Sequence, residues 1–236
     1  MDLGLTGRVA VVTAASKGLG RATAQALAEE GARVVLNSRN AAALSDLAAS
    51  LPQALVVAGD ITDPDLPGQL VDAALERWGR IDVVVGNAGG PPTGGALEVT
   101  DEQVLAAVNA NMLASVRLAR AAVPHMRQQQ WGRVVFIASA SVRQPIRDLA
   151  LSNVSRTALW AWTKTAAQDL AEDGITVNLA APGLHATDRL LERGVTGRTG
   201  SPEDFGQVVA FLCSEQARFV NGIALGVDGG ATTGLL

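Results

Sequence analysis

The segment Thr13-Ala14-Ala15-Ser16-Lys17-Gly18-Leu19-Gly20 joins a short apolar run to a longer helical stretch. The apolar run, Arg8–Ala14, is typical of a buried parallel strand, because it is almost continuously apolar rather than alternating. Glycines at a strand-to-helix turn let a pyrophosphate group approach the backbone, and the helix that follows offers N–H donors and the positive end of its dipole. A glycine-rich turn alone is a weak signal, and further segments must support a nucleotide site.

Short Val/Ile-rich runs alternate with longer Ala/Leu-rich stretches along the whole chain. The predicted strands are Arg8–Ala14, Arg33–Asn37, Leu55–Ala58, Ile81–Gly86, Arg133–Ser139, Ile175–Ala181 and Ile223–Val227. The predicted helices are Gly20–Glu30, Ala41–Ser50, Leu66–Trp78, Asp101–Gln129, Ser155–Glu172 and Pro202–Glu215. This order predicts an α/β chain with a doubly wound Rossmann fold, in which a seven-stranded parallel sheet carries helices on both faces. Residues 1–236 are expected to form a single domain.

Composition narrows the class of protein. The 48% hydrophobic and 18% charged residues are typical of a globular chain and exclude a disordered one. We expect a cytoplasmic chain with no membrane contact, because no uncharged apolar run reaches roughly 18 residues and Met1-Asp2-Leu3-Gly4 lacks the basic region of a secretory signal. Cys213 is the only cysteine, so we expect neither an intrachain disulfide nor a metal site. The net charge of −4 argues against a nucleic-acid partner.

Further blocks of sequence follow the glycine-rich turn in a fixed order. They are Asp60, Asn87-Ala88-Gly89, Asn111, Ser139, Asn178, Pro182-Gly183, Thr187 and Val227-Asp228-Gly229-Gly230. With residues 13–20, where Ala14 replaces the first glycine of a Thr-Gly-x-x-x-Gly-x-Gly loop, these blocks resemble the short-chain dehydrogenase/reductase family across nearly the whole chain. Within that family, the sequence as a whole resembles the 3-oxoacyl-ACP reductases.

The resemblance implies an oxidoreductase that acts on a small carbonyl or alcohol substrate and assembles as a homo-oligomer, either a tetramer or a dimer. The residues it assigns to cofactor binding are Thr13, Ser16, Lys17, Gly18, Leu19, Gly20, Ser38, Arg39, Asp60, Ile61, Asn87, Ala88, Gly89, Arg156, Pro182, Gly183 and Thr187. The residues it assigns to catalysis are Asn111, Ser139, Ser152 and Arg156. Asn111 would orient a proton-relay water. Ser139 and Ser152 would bond the substrate oxygen, and Arg156 would hold the ribose.

The chain departs from the family at the proton donor. The family uses a tyrosine thirteen residues after the serine and a lysine four residues later, whereas this chain has Ser152 and Arg156 there and contains no tyrosine. A phenol, with a pKa near 10, can be made to transfer a proton near neutral pH, but an aliphatic hydroxyl is a far weaker acid. Arginine keeps its proton, so it can donate hydrogen bonds but cannot easily relay a proton. The missing acid predicts impaired or rerouted catalysis, with water as the proton source.

The end of the second predicted strand indicates the cofactor. Ser38 occupies the position where NAD-preferring relatives carry an acid that binds the ribose. Ser38, Arg39 and Lys17 would instead accommodate a 2′-phosphate, which predicts NADP(H) as the preferred cofactor and NAD(H) as the alternative. The competing interpretation makes Lys17 and Arg39 ordinary solvated cations.

Several further side chains have two interpretations. His185 either supplies the missing proton or lies on a solvent-facing loop. Three charged residues before Ser152 either recognise an anionic substrate or are merely solvated; they are Arg143, Arg147 and Asp148. Only fourteen residues separate Thr187 from Pro202, a shorter lid than relatives usually carry, which predicts a more open pocket or one completed by a neighbouring subunit.

Two functions remain open from the sequence. The first is an NADP(H)-dependent oxidoreductase with an atypical catalytic group, which the retained Asn111 and Ser139 favour. The second is a dinucleotide-binding sensor or partner subunit with little turnover, which Ala14, Ser152 and Arg156 favour.

Overall fold

A computed structural model describes residues 2–188, 190, 194 and 197–234. It contains all seven predicted strands: β1 Val9–Val12, β2 Arg33–Ser38, β3 Ala54–Ala58, β4 Val83–Gly86, β5 Gly132–Ile137, β6 Ile175–Pro182 and β7 Ala224–Val227. The α-helices of the described residues are α1 Gly18–Glu29, α2 Ala41–Ala49, α3 Leu66–Trp78, α4 Asp101–Val108, α5 Ala114–Gln129, α6 Ala150–Asp169 and α7 Pro202–Leu212.

The strands form one parallel sheet in the order β3-β2-β1-β4-β5-β6-β7. Val11 of β1 pairs with Val35 of β2 on one side and with Val84 of β4 on the other. The chain places β2 and β3 on one side of β1 and places β4 to β7 on the other, so the strand order reverses at the crevice between β1 and β4. Ligands of open α/β sheets bind at the carboxyl ends of the strands at such a switch point.

Helices cover both faces of the sheet, which confirms the predicted architecture. On one face α3, α5 and α6 enclose a buried apolar cluster, and on the other α1, α2 and α7 enclose a second. Because β1 and β4 are buried on both faces, their sequences are continuously apolar rather than alternating. Among the described residues, no helix combines the length and the apolar character that crossing a bilayer requires.

Two helix predictions were wrong in detail. The stretch 101–129 is not one α-helix, because a π-helix, Asn109–Leu113, separates α4 from α5. The Arg117 guanidinium donates to Asn109 Oδ1 (2.7 Å), which ties the π-helix to the first turn of α5. The helix predicted from Ser155 begins five residues earlier, at Ala150, so both Ser152 and Arg156 lie on α6.

The buried carboxylate of Asp82 binds groups at the amino ends of β1 and β4, opposite the switch point. Asp82, which is fully buried, accepts hydrogen bonds from the Val9 N–H (2.8 Å), from Arg8 Nη1 (3.0 Å) and from Arg80 Nε (2.7 Å). Its negative charge is thus compensated by two guanidinium groups and one backbone donor. The hydrogen bonds that Arg80 donates to Asp82 raise the pKa of Arg80 further, which keeps that partner charged.

We predict that Asp82→Asn lowers the free energy of unfolding by about 3 kcal/mol, because it leaves two guanidinium groups without their buried counter-charge. Asp173→Asn is the matched control, since Asp173 pairs with Arg127 at a similar distance (2.7 Å) but at the surface. It should cost about 1 kcal/mol or less. Urea unfolding measures both, and equal losses for the two variants would contradict the role assigned to Asp82.

Cys213 lies fully buried at the end of α7. Burial raises the pKa of its thiol to about 12, and nearby Arg133 opposes this only in part. An unfolded cysteine ionises near pH 8.5. The stability that depends on the protonated thiol is therefore complete below about pH 8.5 and is lost as the pH rises towards 12.

We expect the difference in free energy of unfolding between the parent and Cys213→Ala to shrink above about pH 9, by up to about 1.4 kcal/mol per pH unit. Urea unfolding at pH 8, 9 and 10 measures this difference. A gap that stays constant over this range would show that the native thiol ionises as readily as the unfolded one.

Candidate active site

The loops after β1 and β4 are joined by the buried hydroxyl group of Thr13. It donates a hydrogen bond to the Asn87 carbonyl oxygen (2.7 Å) and accepts one from the Asn87 N–H (2.8 Å). Gly20 belongs to the same contact, because a Cβ atom there would lie 2.3 Å from the Ala14 carbonyl oxygen and 2.7 Å from Asn87 Nδ2. These residues therefore meet at the switch point, and only glycine fits at position 20.

The first turn of α1 lies beside this junction. A lysine side chain has no acceptor atom, so Lys17, in extended conformation at the N-cap, cannot cap the N–H groups of that turn through its side chain. Gly18 has a φ angle of +56°, and a Cβ atom added there would lie 3.5 Å from Thr187 Cγ2. An open cleft of about 320 Å³ lies between α1, Thr187 and the start of α7. A helix N-terminus in this setting favours phosphate groups.

The carboxyl ends of β2 and β3 bring a cation and an anion together. The Arg39 side chain is exposed, and its Nη1 lies 3.7 Å from Asp60 Oδ2. Hydrogen bonds from the backbone N–H and the hydroxyl group of Thr62, together with the weaker influence of Arg39, hold the pKa of Asp60 below its usual value. Ser38 is buried and accepts a hydrogen bond from the Asn40 N–H (3.1 Å). A small polar residue and an exposed guanidinium thus lie where the sequence predicts phosphate recognition.

Ser139 follows β5 and begins a short 3₁₀ turn, Ala140–Val142. Its Oγ accepts a hydrogen bond from the Ser141 N–H (3.1 Å), so the hydroxyl hydrogen remains to be donated to another acceptor. The serine is therefore oriented as a hydrogen-bond donor at the carboxyl edge of the sheet.

Arg156 reaches from α6 to the end of β5. Its Nη1 donates to the carbonyl oxygens of Ile137 (3.0 Å) and Ala138 (2.8 Å), the two residues directly before Ser139. Ser152 lies one turn earlier on the same face of α6, and both side chains are buried. The guanidinium thus links α6 to the segment that carries Ser139, a contact that the sequence did not predict; its predicted bond to a ribose stays a prediction.

Asn111 lies within the π-helix and is 3% exposed. Its Nδ2 donates to the Ala107 carbonyl oxygen (3.3 Å), whereas its Oδ1 is buried and accepts no hydrogen bond from the described residues. Buried polar atoms of this kind are usually satisfied by water. This placement is compatible with the predicted role of Asn111 in holding a water molecule.

The segment after β6 contacts the segment after β7. A Cβ atom at Gly183 would lie 2.7 Å from the Asp228 Cα, so the two predicted signatures touch. The Thr232 hydroxyl group, then backbone N–H donors, hold the pKa of Asp228 below its usual value. Asn178, which the family resemblance includes in the same block as Pro182-Gly183, is fully buried, and its Nδ2 donates to the Val220 carbonyl oxygen (2.7 Å).

The remaining residues predicted to bind the cofactor lie at the same edge of the sheet. They are placed after β1, β3 and β4, at the start of α1 and at the end of β6: Ser16, Ile61, Ala88, Gly89, Leu19 and Pro182.

Comparison with known proteins assigns the chain to a family. The family model described as Enoyl-(Acyl carrier protein) reductase matches residues 13–232. Dehydrogenase/reductase SDR family member 4 from Oryctolagus cuniculus is 35% identical over 98% of this chain and 96% of its own length, and the protein of the same name from Homo sapiens is 35% identical over 98% and 90%.

The chain belongs to the short-chain dehydrogenase/reductase family. The predicted family is thereby confirmed. Among solved structures of the family, L-sorbose reductase from Gluconobacter frateurii, complexed with NADPH and L-sorbose, superimposes with a TM-score of 0.95 at 33% identity and full coverage of both chains. YwfH, an NADPH dependent reductase involved in bacilysin biosynthesis, superimposes with a TM-score of 0.91 at 28% identity over 98% of this chain and all of its own.

The loop before α6 is held from two sides. The Gly94 N–H donates to the Asp148 carbonyl oxygen (2.8 Å), and Asp148 has a φ angle of +60°. The Asn153 side chain donates to the Ile146 carbonyl oxygen (2.9 Å) and accepts from the Ile146 N–H (3.3 Å). Asn153 was missed by sequence reasoning, because only its position beside Ser152 distinguishes it from other helix residues.

His185 is buried rather than solvent-facing, which corrects one of its two interpretations. Its ring meets Phe205 of α7 edge-on at 5.1 Å, and a Cβ atom at Gly200 would lie 3.0 Å from its Nε2. It therefore packs towards α7. The predicted short lid between Thr187 and Pro202 falls partly on residues outside those described.

We predict that Ala14→Gly stabilises the protein by about 0.5–1 kcal/mol. Ala14 has a φ angle of +47°, which costs a residue with a Cβ atom roughly 1–2 kcal/mol, part of which the greater freedom of an unfolded glycine offsets. Thermal and urea unfolding measure the change. Ala15→Gly is the matched control, because Ala15 is buried without a positive φ angle and should lose stability. A destabilised Ala14→Gly would contradict the strain at this turn.

Proposed function

We propose that this chain is an NADP(H)-dependent oxidoreductase that interconverts a small carbonyl compound and the corresponding alcohol. The observation that carries the proposal is the junction at which Thr13 ties the loops after β1 and β4, with the first turn of α1 beside it. The relatives that are described with NADPH support the same cofactor. NAD(H) is the alternative cofactor, and a cytoplasmic homo-oligomer is the expected form.

The residues present fit a nicotinamide dinucleotide. Gly18 and Gly20 keep side chains away from the first turn of α1, where the pyrophosphate would bind. Ser38 and Arg39 would hold a 2′-phosphate, since the serine brings no negative charge and the guanidinium is exposed. Asp60 would lie near the adenine. When bound, the dinucleotide supplies or accepts a hydride.

Ser139 is the residue that would contact the reacting oxygen. Its Oγ already accepts the Ser141 N–H, so its own hydrogen would be donated to the carbonyl or alkoxide oxygen of the substrate. Arg156 contributes a buried positive charge at the two residues before Ser139 and positions Ser139 through the carbonyl groups of Ile137 and Ala138. Water would provide the proton that a tyrosine provides in the family.

A dinucleotide-binding protein with little turnover is the second candidate. The observation that favours it is the bonding of Arg156 to two backbone carbonyl groups, which gives this side chain a structural role. The two candidates differ in turnover and share cofactor binding.

Cofactor binding is tested by calorimetric titration of NADPH and NADH. We expect NADPH to bind more tightly, and Arg39→Ala to weaken NADPH binding about tenfold, since a charge-assisted contact with phosphate is worth about 1.4 kcal/mol or more, while NADH binding is unchanged. Arg77→Ala, an exposed arginine in the last turn of α3, is the control and should change neither. Failure of both dinucleotides to bind would overturn both candidate functions.

Turnover is tested by following NADPH absorbance with quinones, diketones, β-keto esters and sugars. Ser139→Ala should lower kcat/KM at least tenfold for any compound that is reduced, because a preorganised donor to the reacting oxygen is lost. Ser141→Ala removes a neighbouring buried hydroxyl that makes no hydrogen bond among the described residues, and it should retain activity. Equal activity of the two variants would show that Ser139 is not at the reacting centre, and no turnover of any compound would favour the second candidate.

A further inference from the structure

The carboxyl end of β5 combines a hydrogen-bond donor with a fixed positive charge. Ser139 Oγ is occupied as an acceptor by the Ser141 N–H and has one hydrogen to donate. The Arg156 guanidinium lies on the carbonyl groups of the two residues before Ser139 and keeps its charge at every relevant pH. Both features stabilise a negative charge that forms on an oxygen atom placed there.

The His185 and Cys213 side chains both lie at α7, on the opposite face of the sheet from α6. His185 packs on Phe205, and Cys213 is buried at the end of α7. Asp148 belongs to the exposed loop before α6. Arg143 and Arg147 of the same loop add positive charge.

The chain's two lysines also lie away from Ser139: Lys17 is in the turn after β1, and Lys164 is eight residues beyond Arg156 on α6. No tyrosine exists anywhere in the chain. Among the described residues, the reacting edge of the sheet therefore offers an oxyanion a hydrogen-bond donor and a positive charge, and it lacks the tyrosine that serves as proton donor in the family.

An oxyanion site that lacks this tyrosine favours substrates whose reduced oxygen is a weak base. Reduction of a simple ketone produces an alkoxide, a strong base that must be protonated as it forms. Reduction of a quinone adds a hydride, that is two electrons and one hydrogen nucleus, and leaves a hydroquinone monoanion, whose charge is delocalised as in a phenolate. The pKa of a phenol, near 10, makes this anion far weaker as a base, so water can protonate it after it leaves the site.

We propose that this site takes quinones, carbonyl compounds whose reduced oxygen is stable as a delocalised anion, and binds the product as a phenolate between Ser139 and the field of Arg156. The proposal rests on the proposed function and specifies its substrate class. Ser139 contacts the oxygen, whereas Arg156 acts as a positioning residue and as the source of positive charge.

A binding experiment tests the oxyanion site without turnover. 4-Nitrophenol is titrated with the full chain, with and without NADP⁺, and its absorbance distinguishes the phenol from the phenolate. We expect the bound ligand to ionise about one pH unit below the free ligand, which is a tenfold preference for the phenolate. An unchanged or raised ionisation pH, or no saturable binding, would overturn the proposal.

Two variants locate the effect. Arg156→Gln keeps amide donors for the two carbonyl groups and removes the charge, and it should abolish the preference for the phenolate. Ser139→Ala should reduce it even if Arg156→Gln fails to fold. Arg77→Ala is the matched control and should bind 4-nitrophenol as the parent does. A full phenolate preference in Ser139→Ala would place the anion elsewhere and overturn the assignment.

A turnover comparison completes the test. The parent should reduce a quinone with a kcat/KM at least a hundredfold above that for an unactivated ketone, and the double variant Ser152→Tyr, Arg156→Lys should narrow that ratio. Equal efficiency of the parent on both compounds would overturn the inference.

Failure of the inference can be told apart from failure of the proposed function. If NADPH binds but 4-nitrophenol shows no phenolate preference, the inference fails while the proposed function stands. If neither dinucleotide binds, the proposed function fails first.

Discussion

Thr13 carries the contact on which the site depends, since its one hydroxyl group is both donor and acceptor to the backbone of Asn87. The contact joins the two loops between which the strand order reverses. With these loops held together, Gly20 can pass within van der Waals reach of the Ala14 carbonyl group and α1 can begin beside the crevice. The cleft, the exposed Arg39 and the end of β5 are all positioned relative to that junction.

The architecture was predictable because parallel strands buried on both faces leave an unmistakable pattern of continuous apolar runs. The seven strands and their order along the chain followed from that pattern, and the glycine-rich turn followed from the residues between the first strand and the first helix. The π-helix at Asn109–Leu113 was not predictable, because apolar spacing in this stretch also suits an uninterrupted α-helix. The start of α6 was misplaced by five residues, since Ala150–Val154 carries no capping signal.

The candidate site was predictable as a set of positions and less so as a set of contacts. Sequence spacing places Arg156 one turn after Ser152, but only the folded chain shows that its guanidinium binds the carbonyl groups before Ser139. Likewise, Asn178 matches the family, and only the folded chain shows that its side chain holds the segment before β7. Arginine at position 156 thus combines support of β5 with a positive charge, and under the proposed function that charge would replace proton relay by electrostatic stabilisation.

The most direct measurement of this account is a crystal structure of the chain with NADP⁺ and 4-nitrophenol. It should show the pyrophosphate at the first turn of α1, the 2′-phosphate on Arg39, and the phenolate oxygen within hydrogen-bond distance of Ser139 Oγ. Arg156 should keep its bonds to Ile137 and Ala138. A dinucleotide bound away from the β1 turn, or a guanidinium that leaves both carbonyl groups, would contradict the account.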